Sequence, residues 1–169
     1  MRPALISIVS KKNSGKTTLL EKLIPELKSR GYRVGTIKHD THGFEIDREG
    51  KDTWRHKQAG AETVVISSPR KIAVIKDVAK ELTLDQIAGQ FFSDMDIVIT
   101  EGYKRADKPQ IEVFRSAQHK STLHVKEDPG TLVAVVSDVP VDLPVPRFDI
   151  NDVVSLADFI ETTFLKLQI

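Results

Sequence analysis

The chain has 169 residues, no cysteine, and 25 Lys and Arg against 24 Asp and Glu, a formal net charge of +1. That length suits one domain of ordinary size and buries about two thirds of the surface an unfolded chain exposes, so the fold requires no cross-link or structural metal. Disulfides, thiolate metal sites and cysteine nucleophiles are excluded, and no signal-peptide pattern or run near the ~18 apolar residues of a membrane span is found, which leads us to expect a soluble, cytoplasmic protein.

Residues Ala4 to Val9 (ALISIV) form a short apolar run, followed by a polar loop and then by a helical period at Leu19, Leu20, Leu23, Ile24 and Leu27. Pro25 should bend that helix or loosen a turn, and Gly31 is a C-terminal stop. Tyr32 to Lys38 reads as a second strand. A strand–helix–strand unit of this length implies a right-handed crossover onto a parallel sheet, with both strands ending on the same edge. From Asp40 to Lys57 the sequence is polar and aperiodic, and we expect a long loop with one helical turn near Trp54. Thr63 to Ile66 and Ile72 to Ile75 make a hairpin around Ser67-Ser68-Pro69-Arg70, and Leu84 to Phe92 a helix opened by Thr83 or Asp85. Strands are expected at Ile97–Thr100, Ile111–Phe114, Leu132–Val136 and, weakly, Val145–Phe148. Asn151-Asp152 then caps a last helix reaching about Lys166. This alternation predicts an α/β layer fold.

Chemistry concentrates in the first third. Residues 1–60 hold 13 basic and 7 acidic side chains, against 12 and 17 in the remainder. Without a long Lys/Arg stripe interleaved with aromatics, such an excess suits a small polyanion rather than nucleic acid. Ser10-Lys11-Lys12-Asn13-Ser14-Gly15-Lys16-Thr17 matches the phosphate-loop pattern G-x-x-x-x-G-K-[ST], with Ser10 at the first glycine position. Between a strand and a helix, this loop directs backbone N–H groups and a helix N-terminus at phosphate oxygens; Lys16 reaches the β/γ-phosphates and the Thr17 hydroxyl can ligate Mg²⁺. Gly15 keeps side chains from standing between loop and ligand. Ser10 is strained if its backbone needs positive φ and unstrained if the loop takes a negative-φ form. Lys11 reads either as a trans-acting lysine of a dimer or as a solvated one.

A phosphate-loop protein also needs a carboxylate near Mg²⁺ at the end of a neighbouring strand. Glu101, directly after Ile97–Thr100, is the first candidate. Asp96, at the other end of that strand, reads as a cap. Asp40, after the second strand, can serve Mg²⁺, orient a water or simply close a loop. His39 and His42 flank Asp40 and read as polar loop residues near the phosphates or as part of a transition-metal site; His56, His119 and His124 have no assigned role. Trp54 reads as a packing residue. The N/T-K-x-D guanine loop is missing, but Val136-Ser137-Asp138 ends a strand. A carboxylate there can accept the two N–H donors of guanine, and a turn before Pro140 explains the same residues.

Several separated blocks together resemble the MobB-type molybdopterin-guanine dinucleotide biosynthesis adaptors: V-S-K-K-N-S-G-K-T-T-L-L-E-K-L-I, R-V-G-T-I-K-H-D-T-H-G-F at 33–44, G-K-D-T-W-R-H-K-Q-A-G-A at 50–61, D-I-V-I-T-E-G-Y-K at 96–104 and A-V-V-S-D at 134–138. The resemblance implies a P-loop NTPase three-layer sandwich, a mostly parallel sheet with an antiparallel hairpin extension, formed by one nucleotide-binding domain over residues 1–169. It implies a cytoplasmic, homodimeric protein that binds GTP and Mg²⁺ and aids the partner transferase attaching GMP to molybdopterin. Lys12, Asn13, Ser14, Gly15, Lys16, Thr17 and Thr18 would hold the phosphates, Thr17 and Glu101 the metal, and Lys51, Asp52 and Arg55 would shape the neighbouring polar loop. Ser10 departs from the family pattern, as does Gln110, where Lys is expected and a phosphate or partner contact is at stake.

Hydrolysis is expected to be slow, since no water-orienting Gln or arginine finger is evident; Arg48, Arg55, Arg70 or Arg105 could act across a dimer. Two other functions use the same loop. A small-molecule kinase would need residues 103–109 as a lid, and a metallochaperone GTPase would lean on His39 and His42.

Overall fold

The computed structural model describes residues 2–41, 43–122 and 129–166. The chain divides into two compact units, residues 1–39 with 84–169, and residues 40–83.

The larger unit is built on a six-stranded sheet in which every pairing is parallel: β1 (Ala4–Val9), β2 (Val34–Lys38), β5 (Ile97–Glu101), β6 (Gln110–Phe114), β7 (Leu132–Ser137) and β8 (Arg147–Asp149), in the order β2-β5-β1-β6-β7-β8. Helix α1 (Lys16–Ser29) and helix α4 (Val153–Ile160) cover one face. There Leu23, Leu27, Leu156 and Ile160 close over Ile6, Ile8, Ile99 and Ile111, all wholly buried or nearly so. Helix α3 (Leu84–Phe91) serves the other face, where the Phe92 ring packs on Gly35 of β2. A Cβ at Gly35 would stand 2.3 Å from that ring, so the approach requires glycine.

Arg30 ties α1 to the C-terminal helix, bonding Glu26 at 2.9 Å, Asp158 at 2.6 Å and Glu161 at 2.9 Å. These three carboxylates hold the guanidinium well above its ordinary pKa, Asp158 foremost.

Helix α1 runs through Pro25 to Ser29, as its apolar period predicts. The Pro25 ring lies on the exposed side, where water can serve the carbonyl it frees. Gly31 stops the helix as expected: its N–H bonds the Lys28 carbonyl and Tyr32 N–H the Leu27 carbonyl. Asp152 caps α4 through Ser155 N–H, and a π-helical turn over Glu161–Leu165 carries it on.

In the smaller unit, the polar stretch holds a two-turn helix, α2 (Asp52–Gln58). It escapes periodicity because it is polar nearly all round; Asp52 in its first turn and Arg55, His56 and Lys57 in its last complement the helix dipole. Strands β3 (Thr63–Ser68) and β4 (Lys71–Lys76) pair antiparallel around Pro69-Arg70, so both run longer than the apolar pattern indicates. Val64 is buried, while Val65, Ile72 and Val74 on the opposite face are exposed.

Candidate functional site

Strand β1 lies between β5 and β6, and the chain crosses from one side of it to the other. Ligands of parallel α/β sheets bind at the carboxyl edge where the strand order reverses in this way. The loop after Val9 therefore meets two groups there, Glu101 at the end of β5 and the segment that follows Phe114 of β6.

The loop turns on left-handed residues. Asn13 has φ 61° and Gly15 φ 90°, and Gly15 leads directly into α1. Alternation of this kind points successive N–H groups into one concavity. Ser10 is not among the positive-φ residues, so its substitution for glycine carries no left-handed strain. Its hydroxyl, wholly buried, donates to the Lys11 carbonyl at 2.6 Å and accepts from Lys16 Nζ at 2.9 Å. Ser14, also buried, donates to the same carbonyl at 3.1 Å. Burial lowers the Lys16 pKa, Glu101 opposes the shift, and Lys104 and Lys38 reinforce it. Thr17 Oγ1 lies 3.3 and 3.4 Å from the two Glu101 carboxylate oxygens. Lys16, Thr17 and Glu101 thus share one corner, while Lys12, Asn13 and Thr18 are exposed along the loop and the first turn of α1.

The segment after β6 braces the loop from the other side, and the sequence carried no signal for it. His119 Nε2 donates to the Lys12 carbonyl at 2.6 Å, and Lys11 Nζ bonds the Ser121 carbonyl at 2.7 Å and its hydroxyl at 3.1 Å. Lys11 is thus anchored to a segment of its own chain. The Arg115 guanidinium lies against Gly15, where a Cβ would be 3.3 Å from Nε. The space spared by Gly15 on that side belongs to Arg115 and not to a ligand. Beside this segment, Phe114, Ser116, His119, Thr122, Val139 and Leu143 are among the residues lining a cavity of about 570 Å³.

Asp138 follows β7, and its carboxylate accepts from Ser116 N–H at 2.9 Å and from the Ser116 hydroxyl at 3.1 Å. These bonds, the backbone N–H foremost, hold its pKa below the usual carboxylate range. Asp96 sits at the opposite edge of the sheet, forked onto Arg33 through Nε and Nη2 with Arg33 N–H added, and takes no part in the site. Gln110 is buried and donates to the carbonyls of Lys104 and Ala106, so it secures the loop after β5 rather than facing a phosphate or partner. Lys108, in the segment 103–109, bonds Asp85 at 2.8 Å. His39 stacks on Tyr103, with ring centroids 4.3 Å apart. His42 and His124 lie outside the described residues, and among those described no cluster of three or more His, Asp or Glu side chains could hold a metal ion. Asp40 opens the smaller unit. There Lys51 precedes α2, Asp52 is exposed on its first turn and Arg55 on its last, and Trp54 is half-buried.

Residues 5–138 match the family described as molybdopterin guanine dinucleotide synthesis protein B, MobB. The chain belongs to the MobB family. It is 39% identical over 158 residues to the molybdopterin-guanine dinucleotide biosynthesis adapter protein of Haemophilus influenzae, covering 93% of this chain and 87% of that one. The adapter of the same name from Escherichia coli is 38% identical over 160 residues, covering 92% and 90%. A crystal structure of molybdopterin-guanine biosynthesis protein B superposes with a TM-score of 0.72 at 34% identity, over 94% of this chain and 97% of that one. Membership of the MobB family places the chain in molybdopterin guanine dinucleotide biosynthesis, and the fold is the phosphate-loop α/β sandwich that the resemblance implies.

Proposed function

We propose that the protein is a GTP-binding adapter whose nucleotide occupancy governs docking of the transferase that attaches GMP to molybdopterin. The observation that carries this reading is the corner where Lys16, Thr17 and Glu101 meet at the switch point of the sheet, with Thr17 Oγ1 3.3 Å from the Glu101 carboxylate. A hydroxyl and a carboxylate are hard oxygen donors suited to Mg²⁺, and Thr17 and Glu101 would hold it. When bound, the ion would neutralise phosphate charge. Lys16 would balance the β/γ-phosphates, with Lys12, Asn13, Ser14, Gly15 and Thr18 lining the same tail. Asp138 would read guanine, exchanging its Ser116 bonds for those of the base, and the neighbouring 570 Å³ cavity has the size of a small-molecule site.

Hydrolysis is slow in this reading, because the assembled groups neutralise charge and none is a glutamine that orients water; Asp40 is the candidate for that task. A homodimer is proposed from the face of the β3–β4 hairpin that leaves Val65, Ile72 and Val74 exposed, since an isolated two-stranded sheet is marginal in water. A cytoplasmic location belongs to the same proposal; among the described residues no helix is long and apolar enough to cross a membrane.

Calorimetric titration of GTP and of ATP, each with and without Mg²⁺, tests the phosphate loop, the metal and the base together. Tight binding of GTP alone, strengthened by Mg²⁺, is expected. Equal affinity for both nucleotides would remove the guanine assignment, and no heat with either would remove the nucleotide reading.

A further inference from the structure

Arg115, at the sheet's carboxyl edge, has a placement that the proposed nucleotide site has not yet used. Its guanidinium lies on Gly15, with Nε, Cζ and Nη2 at 3.3, 3.5 and 3.5 Å from where a Cβ would stand. Its Nε is buried and has no hydrogen-bond partner among the described residues. A guanidinium stays charged at any physiological pH and has only donors to offer. A buried donor without a partner is disfavoured and rare in native structures.

The surroundings make the placement more telling. Gly15 is the residue that enters α1, so Arg115 sits at the positive end of a helix dipole. Lys38 and Lys104 already repel the Lys16 ammonium at the same edge. Stacking an arginine onto a helix N-terminus in this company is unfavourable unless an anion is bound beside them both. Asp138 is close enough to feel Arg115, but both its oxygens are engaged by Ser116. The planar fork of a guanidinium matches phosphate oxygens bidentately.

We propose that Arg115 is a phosphate-binding residue supplied by the same chain, closing the phosphate loop from the β6 side while Lys16 and Glu101 close it from the β5 side. The proposal rests on the nucleotide reading above and extends it by one residue and one direction of approach. Arg115 acts on phosphate oxygens and not on the nucleoside, so it contributes equally to a ligand that has no base. It also supplies a cation to the loop from within the same chain.

Calorimetry with Mg·GTP and with Mg·tripolyphosphate tests this on the full chain, the Arg115→Gln and Arg115→Lys variants, and Lys16→Ala as control. Gln keeps most of the side chain's packing and loses the charge, whereas Lys keeps the charge and loses the fork. Arg115→Gln is expected to weaken both ligands by about tenfold to a hundredfold, the range for losing a hydrogen bond to a charged group. Arg115→Lys should recover part of that loss for both, and the unliganded melting temperatures of the two variants should agree. Should Arg115→Gln fail to fold, Arg115→Lys decides, because parental affinity with the fork gone would deny bidentate contact. Undiminished affinity of Arg115→Gln for both ligands would reduce Arg115 to a brace of the loop. Loss confined to GTP would transfer it to the nucleoside, and either result overturns the proposal. If the parent binds neither ligand, or Lys16→Ala binds as the parent does, the nucleotide reading itself falls and takes this inference with it. If Lys16→Ala loses binding and Arg115→Gln does not, only the role of Arg115 falls.

Discussion

Replacing Gly15 by Ala separates two explanations for a glycine at the head of α1. The first is conformational: φ is 90°, a left-handed value that costs an L-residue about 1–2 kcal/mol. The second is steric, because the new Cβ would lie 3.3 Å from Arg115 Nε. That contact involves the far end of a long side chain, which can retreat by a few tenths of an ångström, so the steric share should be small. Gly15→Ala is therefore expected to cost about 1–2 kcal/mol, and at 2–4 °C per kcal/mol for a chain of this size the melting temperature should fall by about 2–8 °C. A thermal double-mutant cycle with Arg115→Ala checks the division. Coupling between the two sites should not exceed about 0.5 kcal/mol, the lower end for residues in contact. An unchanged melting temperature for Gly15→Ala would refute the conformational argument. If the cost disappeared in the Arg115→Ala background, the arginine and not the backbone would be the reason for glycine.

With GTP a hundredfold above its dissociation constant, the parent should gain about 2.7 kcal/mol of apparent stability; Lys16→Ala should show no such gain by thermal denaturation while keeping its unliganded midpoint. Asp138→Asn should narrow the preference for GTP over ATP in competitive titration, and an unaltered ratio would acquit Asp138 as the guanine reader. Gly35→Ala puts a Cβ 2.3 Å from the Phe92 ring and should cost about 1–3 kcal/mol as overpacking, measured by urea denaturation, with Phe92→Leu in the same chain restoring part of it. Asp96 beside Arg33, Glu161 beside Arg30, Asp138 on Ser116 and Asp152 on Ser155 are all held below their usual carboxylate range. Their contribution is complete above the unfolded pKa of about 4 and is lost as pH falls through the lower folded values. The melting temperature should thus be flat from about pH 7 to pH 5 and drop below pH 4. A stability that rose on acidification would contradict these assignments.

Where the chain speaks in apolar periods, the fold was legible. The six-residue run of β1, the period of α1 and the buried IVIT of β5 follow from burial on both sides of a parallel sheet, which selects continuous apolar strands. Where polar residues carry the structure, it was not. Helix α2 buries none of its residues, so no apolar face marks it, and capping and charge placement are too short-ranged to announce two turns within an eighteen-residue polar stretch.

The site divides along the same line. That Lys16, Thr17 and Glu101 lie together was legible because each is tied to a strand end by a fixed spacing, and a parallel sheet brings strand ends together whatever the intervening loops do. Arg115, His119 and Ser121 stand about a hundred residues after the loop they touch, in a stretch with no recognisable spacing. Their roles depend on β6 lying next to β1 in the sheet order, and the sequence separation of the two strands says nothing about that adjacency. Gln110 shows the converse error. A departure from a family pattern suggested an altered ligand contact, but one buried amide bonding two carbonyls explains it through the backbone it secures. A substituted residue near a ligand loop therefore has to be followed to its hydrogen-bond partners before it is assigned to the ligand, and for Ser10 that step leads to Lys16 itself.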